Sequence, residues 1–222
     1  MNSKVIVTED NSSTLFLPHL NETYHSTKGA ITESKHVFIK EGLFYGDLKH
    51  LRLFEMGFGT GLNAILTYAA AHQHQLNIHY DCVEAFPLTP DQYKEMNYLQ
   101  QLEMESLQII FERMHTQPTE KIAALSDHFS FRKYLQKIEE LQLKEEEYDL
   151  IYFDAFGPKV QAELWEENIL KKMYDTLKPQ GLLVTYCAQG KFKRTLKSVG
   201  FEVQCIAGPP GKREMTRAIK PI

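Results

Sequence analysis

The sequence has few cysteines, with three among 222 residues. Cys82, Cys187 and Cys205 lie in separate apolar, strand-like runs, and an odd number of widely spaced cysteines argues against a disulfide framework. This usage is typical of a reducing compartment, so we expect a cytoplasmic protein. Closely spaced sets of cysteine and histidine are also missing, and His72 and His74 lie near a predicted helix end. We therefore predict no bound metal.

Long hydrophobic runs are missing too. No apolar stretch approaches the roughly 20 residues that a membrane-spanning helix needs. The first residues, Met1 to Val5, show no extended apolar segment of the kind found in a secretion signal. The composition, 43% hydrophobic and 24% charged, is that of a globular chain able to bury a core. We expect a single domain, perhaps enlarged by a subdomain, and no membrane partner.

The chain lacks an overall excess of positive charge, because its formal net charge is −4. That balance excludes a generally basic nucleic-acid-binding protein. The charge is unevenly distributed, however. Lysine and arginine outnumber aspartate and glutamate eight to two in residues 189–220, whereas residues 139–149 hold six acids and one lysine. A local basic face is compatible with RNA as a partner, and a mixed solvated surface explains the same counts equally well.

A glycine-rich turn is the strongest feature that the sequence does contain. The apolar run Leu51–Met56 predicts a buried parallel strand. Gly57, Gly59 and Gly61 follow at every second position, and residues 62–71 carry apolar side chains at helical spacing. Glycine permits positive φ and lets a ligand approach the backbone, while the helix N-terminus presents N–H groups to it. The pattern favours a ligand-binding turn over an ordinary strand–helix connection.

The spacing of this turn indicates the kind of ligand. Its third glycine comes one residue too early for the dinucleotide fingerprint G-x-G-x-x-G, and no Gly-Lys-Ser/Thr follows for a phosphate loop. Glu55 precedes the first glycine by two residues. A carboxylate there would repel a pyrophosphate and attract a cation. S-adenosylmethionine has an ammonium and a sulfonium, so we predict it as the cofactor.

A second acid supports this prediction. The run Asn77–Glu84 predicts a strand that ends in Glu84, 23 positions after Gly61. An acid at the tip of the second strand can accept two hydrogen bonds from a ribose diol. An exposed surface glutamate is the alternative, but the position beside the glycine turn favours the ribose.

The remaining elements alternate between strands and helices, which predicts an α/β fold with a doubly wound, mostly parallel sheet and ligands at the carboxyl ends of its strands. The last two strands, 201–205 and 215–219, have no helix between them and predict an antiparallel hairpin. That ending is similar to the class I S-adenosylmethionine-dependent methyltransferase fold. We predict further strands at 129–131, 148–154 and 181–187, at least two helical pieces within 89–127, and helices at 160–177 and 191–199.

Residues 1–48 do not follow this alternation. Residues 4–8 and 13–17 predict two short strands, and residues 36–39 predict a third strand or the end of a helix. We therefore expect an N-terminal β-rich arm, residues 1–48, that packs on the catalytic domain of residues 49–222.

Asp154 is the candidate catalytic residue, because it ends a strongly apolar predicted strand where the sheet presents its site. Its carboxylate could accept a hydrogen bond from an attacking amine and orient the nitrogen lone pair, while Phe156 packs on a flat base. The segment looks like a variant of the Asp/Asn-Pro-Pro-Tyr turn of amino-group methyltransferases. A helix-capping aspartate, or one that bonds the cofactor adenine, is the alternative.

Several motifs together resemble the methyltransferase half of the bifunctional tRNA 5-methylaminomethyl-2-thiouridine enzymes, the MnmC-like group. The resemblance covers most of the chain and depends on the order and spacing of the motifs. They are Glu22-Thr23-Tyr24-His25-Ser26, Gly29–Ser34 with His36-Val37-Phe38, Gly57–Asn63, Glu84–Leu88, Asp154–Pro158 with Leu164-Trp165, Thr185–Gly190 and Gly211–Met215.

This resemblance implies methyl transfer from S-adenosylmethionine to the 5-aminomethyl nitrogen of a (2-thio)uridine at the tRNA wobble position, with the reactive amine near Asp154. It implies cofactor contacts at Glu55, Gly57, Gly59, Gly61, Asn63 and Glu84. The basic tail adds a predicted tRNA-facing surface, formed by Lys191, Lys193, Arg194, Lys212 and Arg213.

The sequence departs from the group in two ways. Bifunctional members carry a flavin-dependent oxidase domain that this sequence lacks, so we expect a separate oxidase partner or none. An acid that often follows the third strand is replaced by Phe131-Arg132-Lys133, which leaves the adenine contact open. Two other functions also stay open. One is a methyltransferase or aminopropyltransferase of a small molecule or protein, and the other is a non-catalytic binding module.

Overall fold

The computed structural model describes residues 3–222, so Met1 and Asn2 of the predicted arm lie outside the described residues. Its strands are β1 (Lys4–Val7), β2 (Ser13–Leu17), β3 (Glu22–Thr23), β4 (His50–Met56), β5 (Asn77–Val83), β6 (Ala123–Ser126), β7 (Phe129–Tyr134), β8 (Tyr148–Phe153), β9 (Leu177–Thr185), β10 (Glu202–Ala207) and β11 (Glu214–Ile219). Its α-helices are α1 (Ala30–Ser34), α2 (Leu62–His74), α3 (Pro90–Tyr93), α4 (Tyr98–Gln101), α5 (Gln108–Thr116), α6 (Glu167–Thr176) and α7 (Gly190–Ser198). A π-helix, Lys35–Leu43, continues α1, and short 3₁₀ turns cover Glu105–Leu107 and Ala162–Trp165.

The larger sheet has eight strands in the order β10-β11-β9-β8-β4-β5-β7-β6. Strands β7, β5, β4, β8 and β9 pair in parallel, whereas β11 is antiparallel to both β9 and β10. This arrangement confirms the predicted class I methyltransferase fold, including its C-terminal antiparallel hairpin. Strand β4 lies in the middle of the sheet, so the turn that follows it opens at the centre of the carboxyl edge, where such sheets bind ligands.

Both faces of this sheet are covered, which explains the nearly continuous apolar runs of its central strands. Neighbouring residues of β4 enter different cores: Leu53 packs with the α2 side and Phe54 with the α6 and α7 side. The same alternation relates Tyr152 and Ile151 of β8. All four side chains have no solvent exposure.

The N-terminal segment forms a separate antiparallel sheet in the order β1-β2-β3, followed by α1 and the π-helix. Residues 36–39, predicted as a strand or a helix end, belong to the π-helix. That helix packs closely on the large sheet, since a Cβ on Gly42 would lie 3.0 Å from Val184 Cγ2 and 3.2 Å from the Tyr152 ring. The boundary between an arm and a catalytic domain at residues 48 and 49 stays a prediction.

Three predicted boundaries need correction. Residues 123–126, predicted to be helical, form β6, because Ala123 and Leu125 alternate with exposed neighbours and pair antiparallel with β7. The predicted helix 160–177 is a 3₁₀ turn followed by α6. Residues 178–180, predicted to separate a helix from a strand, belong to β9, since the buried Leu177 already pairs with Tyr148. Among the described residues, no helix is long and apolar enough to cross a membrane.

Candidate active site

A cleft of about 760 Å³ opens at the carboxyl ends of β4, β5 and β8. Its volume suits a small-molecule ligand, for which about 300–1,000 Å³ is usual. One wall comes from the turns of the large sheet, including Gly57, Gly59 and Glu84. The other comes from the N-terminal segment and the β10–β11 turn, which contribute Tyr24 and Lys212 among others. We call the first side of the cleft the cofactor end and the second side the substrate end, after the ligands that we predict for them.

The glycine turn has the backbone conformation that the sequence predicts, with φ of +91° at Gly57, +51° at Gly59 and +77° at Gly61. The space beside these glycines, however, is filled by the chain itself. A Cβ on Gly57 would lie 2.5 Å from the Asp154 carbonyl oxygen. One on Gly61 would lie 2.9 Å from His115 Nε2, and one on Gly59 would lie 3.1 Å from the Tyr24 ring. Glycine is therefore required here by close packing as well as by φ.

Glu55 is 1% exposed and does not itself line the cleft; it lies behind Asn63, which does. Its Oε1 accepts a hydrogen bond from Asn63 Nδ2 at 3.0 Å, while its buried Oε2 has no hydrogen-bond partner among the described residues. Burial, reinforced by the charge of Asp154, raises the pKa of Glu55 well above its usual value. The Tyr80 hydroxyl and the Asn63 amide oppose this shift, and the negative charge of Glu55 behind Asn63 favours a cationic ligand in the cleft.

Asn63, in the first turn of α2, links the two acids of the site. Its Nδ2 donates to Glu55 Oε1 at 3.0 Å and to Asp154 Oδ2 at 2.7 Å. Its Oδ1 is buried and, within residues 3–222, accepts no hydrogen bond. The amide thus holds both carboxylates in place and leaves an acceptor for a ligand N–H.

Glu84 follows β5 and is fixed by backbone donors. Its Oε2 accepts a hydrogen bond from Gly59 N and its Oε1 one from Phe86 N, both at 2.8 Å. Burial raises the pKa of Glu84, and the hydrogen bonds from these N–H groups oppose that shift. Each carboxylate oxygen has a second lone pair, so the side chain can still accept hydrogen bonds from two ligand hydroxyls.

Asp154 follows the last residue of β8 and lines the cleft beside the turn. Burial raises the pKa of Asp154 to about 7, and the charge of Glu33 adds to this effect. The hydrogen bond from Asn63 and the charge of Lys212 oppose it. A carboxyl group with this pKa exists in both protonation states near neutral pH, which suits a group that orients an amine or takes up its proton.

An aromatic pair lines the cleft near Asp154. The Phe156 ring meets the Tyr24 ring edge-on, with centroids 4.9 Å apart. Trp165 Nε1 donates to the Phe156 carbonyl oxygen at 2.8 Å and fixes this loop. Tyr24 was not predicted as a site residue; the sequence singled it out only as part of a family motif.

Sequence reasoning also missed Glu33 and Tyr186, which line the substrate end. Glu33 Oε1 accepts a hydrogen bond from Lys212 Nζ at 2.6 Å. The Tyr186 hydroxyl donates to the Ala155 carbonyl oxygen at 2.7 Å. Both residues fall within quoted family motifs, but nothing in the local pattern marks them as functional.

The predicted tRNA-facing cations do not form one group. Lys212 points into the cleft, whereas the Arg213 side chain is 95% exposed. Lys191 pairs with Glu166 at 3.2 Å and Lys193 with Glu214 at 3.4 Å. Arg194 is exposed on α7. A tRNA-facing role for these five residues stays a prediction.

Arg132 and Lys133 lie within β7, and neither residue lines the cleft. Arg132 donates to both carboxylate oxygens of Asp81, at 2.9 and 2.6 Å. Lys133 Nζ donates to the carbonyl oxygens of Met114 and His115, at 2.9 and 2.5 Å, and so caps the end of α5. The cleft wall beyond β7 consists instead of residues 136–139.

Residues 93–221 match a family model described as S-adenosyl-L-methionine-dependent methyltransferase. Because this match covers more than half of the chain, the protein belongs to that family, and S-adenosylmethionine is its cofactor. The free Oδ1 of Asn63, a residue that lines the cleft, fits the ammonium of this cofactor, and the charge of Glu55 behind it favours a cation there.

The sequence is also similar to curated proteins named tRNA 5-methylaminomethyl-2-thiouridine biosynthesis bifunctional protein MnmC. The one from Burkholderia thailandensis is 28% identical over 217 residues, which cover 91% of this chain and 33% of that protein. The one from Cupriavidus necator is 27% identical over 216 residues, 91% of this chain and 32% of that protein. The predicted resemblance to this group is confirmed, and the chain spans about a third of the length of these relatives.

Two solved structures share the fold. MnmC2 from Aquifex aeolicus aligns with a TM-score of 0.76 at 24% identity, over 100% of this chain and 73% of that chain. Spermidine synthase from Thermotoga maritima aligns with a TM-score of 0.55 at 14% identity, over 99% of this chain and 72% of that one. Both likenesses concern the fold alone.

Proposed function

We propose that the protein methylates the 5-aminomethyl nitrogen of a (2-thio)uridine at the tRNA wobble position, giving 5-methylaminomethyl-(2-thio)uridine. The observation that carries this proposal is the similarity to MnmC proteins over 91% of the chain. The product of the reaction appears in the name of those relatives. In the cleft, Asp154 suits the methylation of an amine, and the Phe156–Tyr24 pair suits a planar base.

The substrate is a primary alkyl amine, which is mostly protonated near neutral pH, and an ammonium has no lone pair. S-adenosylmethionine supplies the activated methyl group. Asp154 then has two tasks. Its ionised form takes up the ammonium proton or orients the N–H groups of the neutral amine, and its charge offsets the positive charge that develops on nitrogen. A pKa of about 7 keeps much of this carboxyl group ionised at neutral pH.

The aromatic pair supports a planar substrate. Phe156 and Tyr24 border the cleft on the side of Asp154, and their rings could contact a uracil or thiouracil base. Arg194 and Arg213 are exposed and lie outside the cleft, so they are free to contact phosphates. Lys191 and Lys193 lie on α7 with Arg194 and add positive charge there. A cytoplasmic tRNA and an oxidase that supplies the aminomethyl substrate complete the proposed set of partners.

The test is a methylation assay on tRNA that bears the aminomethyl group, with S-adenosylmethionine and mass analysis of the digested nucleosides. We expect a gain of one methyl group on the modified wobble nucleoside. The same tRNA without the aminomethyl group is the matched control and should gain none. Cofactor turnover with a small amine or protein but not with tRNA would refute the proposal.

A further inference from the structure

An ion pair at the substrate end has no task in the proposed reaction. Glu33 comes from α1 and Lys212 from the turn between β10 and β11, and Lys212 Nζ lies 2.6 Å from Glu33 Oε1. Glu33 is 7% exposed, and its second oxygen accepts a hydrogen bond from Ser26 N at 2.8 Å. Each oxygen of this nearly buried carboxylate thus has a partner within the chain itself.

The Lys212 ammonium has a second partner in Tyr186. Its Nζ lies 4.1 Å from the centroid of the Tyr186 ring. The hydroxyl of that ring donates to the Ala155 carbonyl oxygen, which ties the ring to the loop after Asp154. A carboxylate and an aromatic face together are the groups that bind an alkylammonium ion. Glu33 and Tyr186 therefore form an ammonium site, and Lys212 fills it.

We propose that Lys212 is a specificity-determining residue, which occupies this ammonium site as an internal cation and thereby excludes a second amino group of a substrate. With Lys212 in place, the pair with Glu33 carries no net charge, so Glu33 adds nothing to the attraction of Asp154 for an amine. Without it, Glu33 and Asp154 would present two carboxylates, the charge pattern that suits a diamine. The inference rests on the proposed function in one respect, the single amino group of the substrate.

The charges at this end influence one another. Glu33 raises and Lys212 lowers the pKa of Asp154, so both lie within electrostatic range of it. On the opposite side, Asp154 also meets Glu55, whose pKa its charge raises. A cation that entered beside Asp154 would therefore also be attracted by the charge of Glu33, if Lys212 did not neutralise Glu33.

The β10–β11 hairpin is held against the N-terminal helices at three places. Lys212 meets Glu33, a hydrogen bond of 2.9 Å joins His36 Nε2 to the Ala207 carbonyl oxygen, and Arg217 pairs with Glu41 at 3.3 Å. These contacts keep the turn next to α1. The position of the Lys212 ammonium is thus built into the fold, which is what a specificity determinant requires.

The test measures amine binding by calorimetry at pH 8.5 in the presence of saturating S-adenosylhomocysteine, with 1,4-diaminobutane and 1-butylamine as probes. Lys212→Met should raise the affinity for the diamine relative to the monoamine by about 10-fold or more, the scale of one charge-assisted hydrogen bond. The double variant Glu33→Gln/Lys212→Met should lose this gain. Lys171→Met is the matched control, because Lys171 forms an exposed ion pair with Asp175 on α6 and does not line the cleft.

An unchanged ratio of diamine to monoamine affinity in Lys212→Met, with S-adenosylhomocysteine binding intact, would overturn the proposal. An equal gain in the double variant would also overturn it, since the diamine would then bind elsewhere. Lys212→Gln serves as a second variant if the methionine variant does not fold. No arm of this experiment uses tRNA, so its failure and that of the proposed function can be told apart.

Discussion

The two ends of the cleft are built in different ways. The cofactor end consists of short connections after neighbouring strands, so that Glu55, Asn63 and the glycine turn all come from fifteen consecutive residues, 49–63. The substrate end joins segments far apart in the chain, since Glu33 and Lys212 are separated by 179 positions. The first end is a local property of the sequence, and the second depends on how the N-terminal segment meets the C-terminal hairpin.

The electrostatics of the two ends differ as well. At the cofactor end, Asn63 retains an unpartnered buried oxygen, and a cationic ligand beside it would oppose the raised pKa of Glu55 behind it. At the substrate end, Glu33 already has its cation in Lys212. The comparison indicates that the cofactor end is open to a charged ligand, whereas Glu33 at the substrate end is already neutralised from within the chain. Substitutions at the cofactor end should therefore change cofactor affinity, and substitutions at the substrate end should change the rate.

The largest effect is expected from Gly59→Val. A branched side chain at φ +51°, with its Cβ 3.1 Å from the Tyr24 ring, would displace the turn that we predict to bind the cofactor. We expect no measurable S-adenosylmethionine binding by calorimetry, with cooperative thermal unfolding retained. Gly46→Val is the control, because a Cβ there meets no atom closer than 4.0 Å. Near-normal cofactor affinity in Gly59→Val would show that the turn is not the binding element.

Asp154→Asn should separate the two ends. The amide keeps the size and an acceptor oxygen for Asn63 but loses the charge. Methyl transfer in single turnover should fall about 100-fold, the usual scale for removing one preorganised electrostatic group, while cofactor affinity changes far less. If cofactor binding collapsed and the rate per bound complex stayed normal, Asp154 would belong to the cofactor end.

The pH dependence of the reaction should report Asp154. Its pKa of about 7 lies above the ordinary value of 3.8, so the carboxylate required for the reaction is lost as the pH falls through 7. With saturating substrate, we expect the rate to drop about tenfold per pH unit below that point. This limb should be absent in Asp154→Asn. A limb near pH 7 that persisted in the variant would assign the titration to another group.

Glu84→Gln should have a smaller effect on the cofactor end. An amide accepts weaker hydrogen bonds from hydroxyls than a carboxylate does, and it also weakens the bond from Gly59 N. We expect S-adenosylhomocysteine affinity to fall by about 1–2 kcal/mol. Glu202→Gln, exposed on β10, provides a matched control. Equal affinities in both variants would remove Glu84 from the predicted cofactor contacts.

The smallest effect concerns tRNA. Arg194 and Arg213 are exposed, and each phosphate contact should add about 0.9 to the slope of log affinity against log salt for a duplex, or about 0.7 for single-stranded RNA. Replacing both by alanine should flatten that slope, whereas Lys49→Ala/Lys144→Ala, exposed before β4 and β8 at the opposite edge of the sheet, should not. Identical slopes in the two double variants would place the RNA elsewhere.

The sequence predicts the cofactor end far better than the substrate end, for a physical reason. A glycine at positive φ and an acid at a strand tip are required by local geometry, so the residues themselves indicate a turn with Glu55, Gly57 and Gly59. No local pattern marks Glu33, whose importance comes from Lys212. The same limit applies to Lys212. The sequence shows a cation and predicts a tRNA-facing role for it, but the direction in which its side chain points depends on Glu33, 179 positions away.

Element boundaries failed where tertiary pairing overrode local preference. Residues 123–126 were assigned to a helical region, but pairing with β7 at the sheet edge makes them a strand. Leu177 is the last residue of a predicted helix but the first residue of β9, because it is buried against the sheet and pairs with Tyr148. The alternation of strands and helices, by contrast, was enough to predict the parallel sheet and its hairpin.

The contact between the N-terminal helices and the hairpin has a consequence for biosynthesis. A ribosome makes proteins from the N-terminus, so the glycine turn emerges about 150 residues before Lys212 is added. The nascent chain therefore holds the residues of α1, including Glu33, without their cationic partner until residue 212 has been added. Whatever order the folding steps take, discrimination among amines is acquired after the elements of the cofactor end have been made, and it arrives with the hairpin.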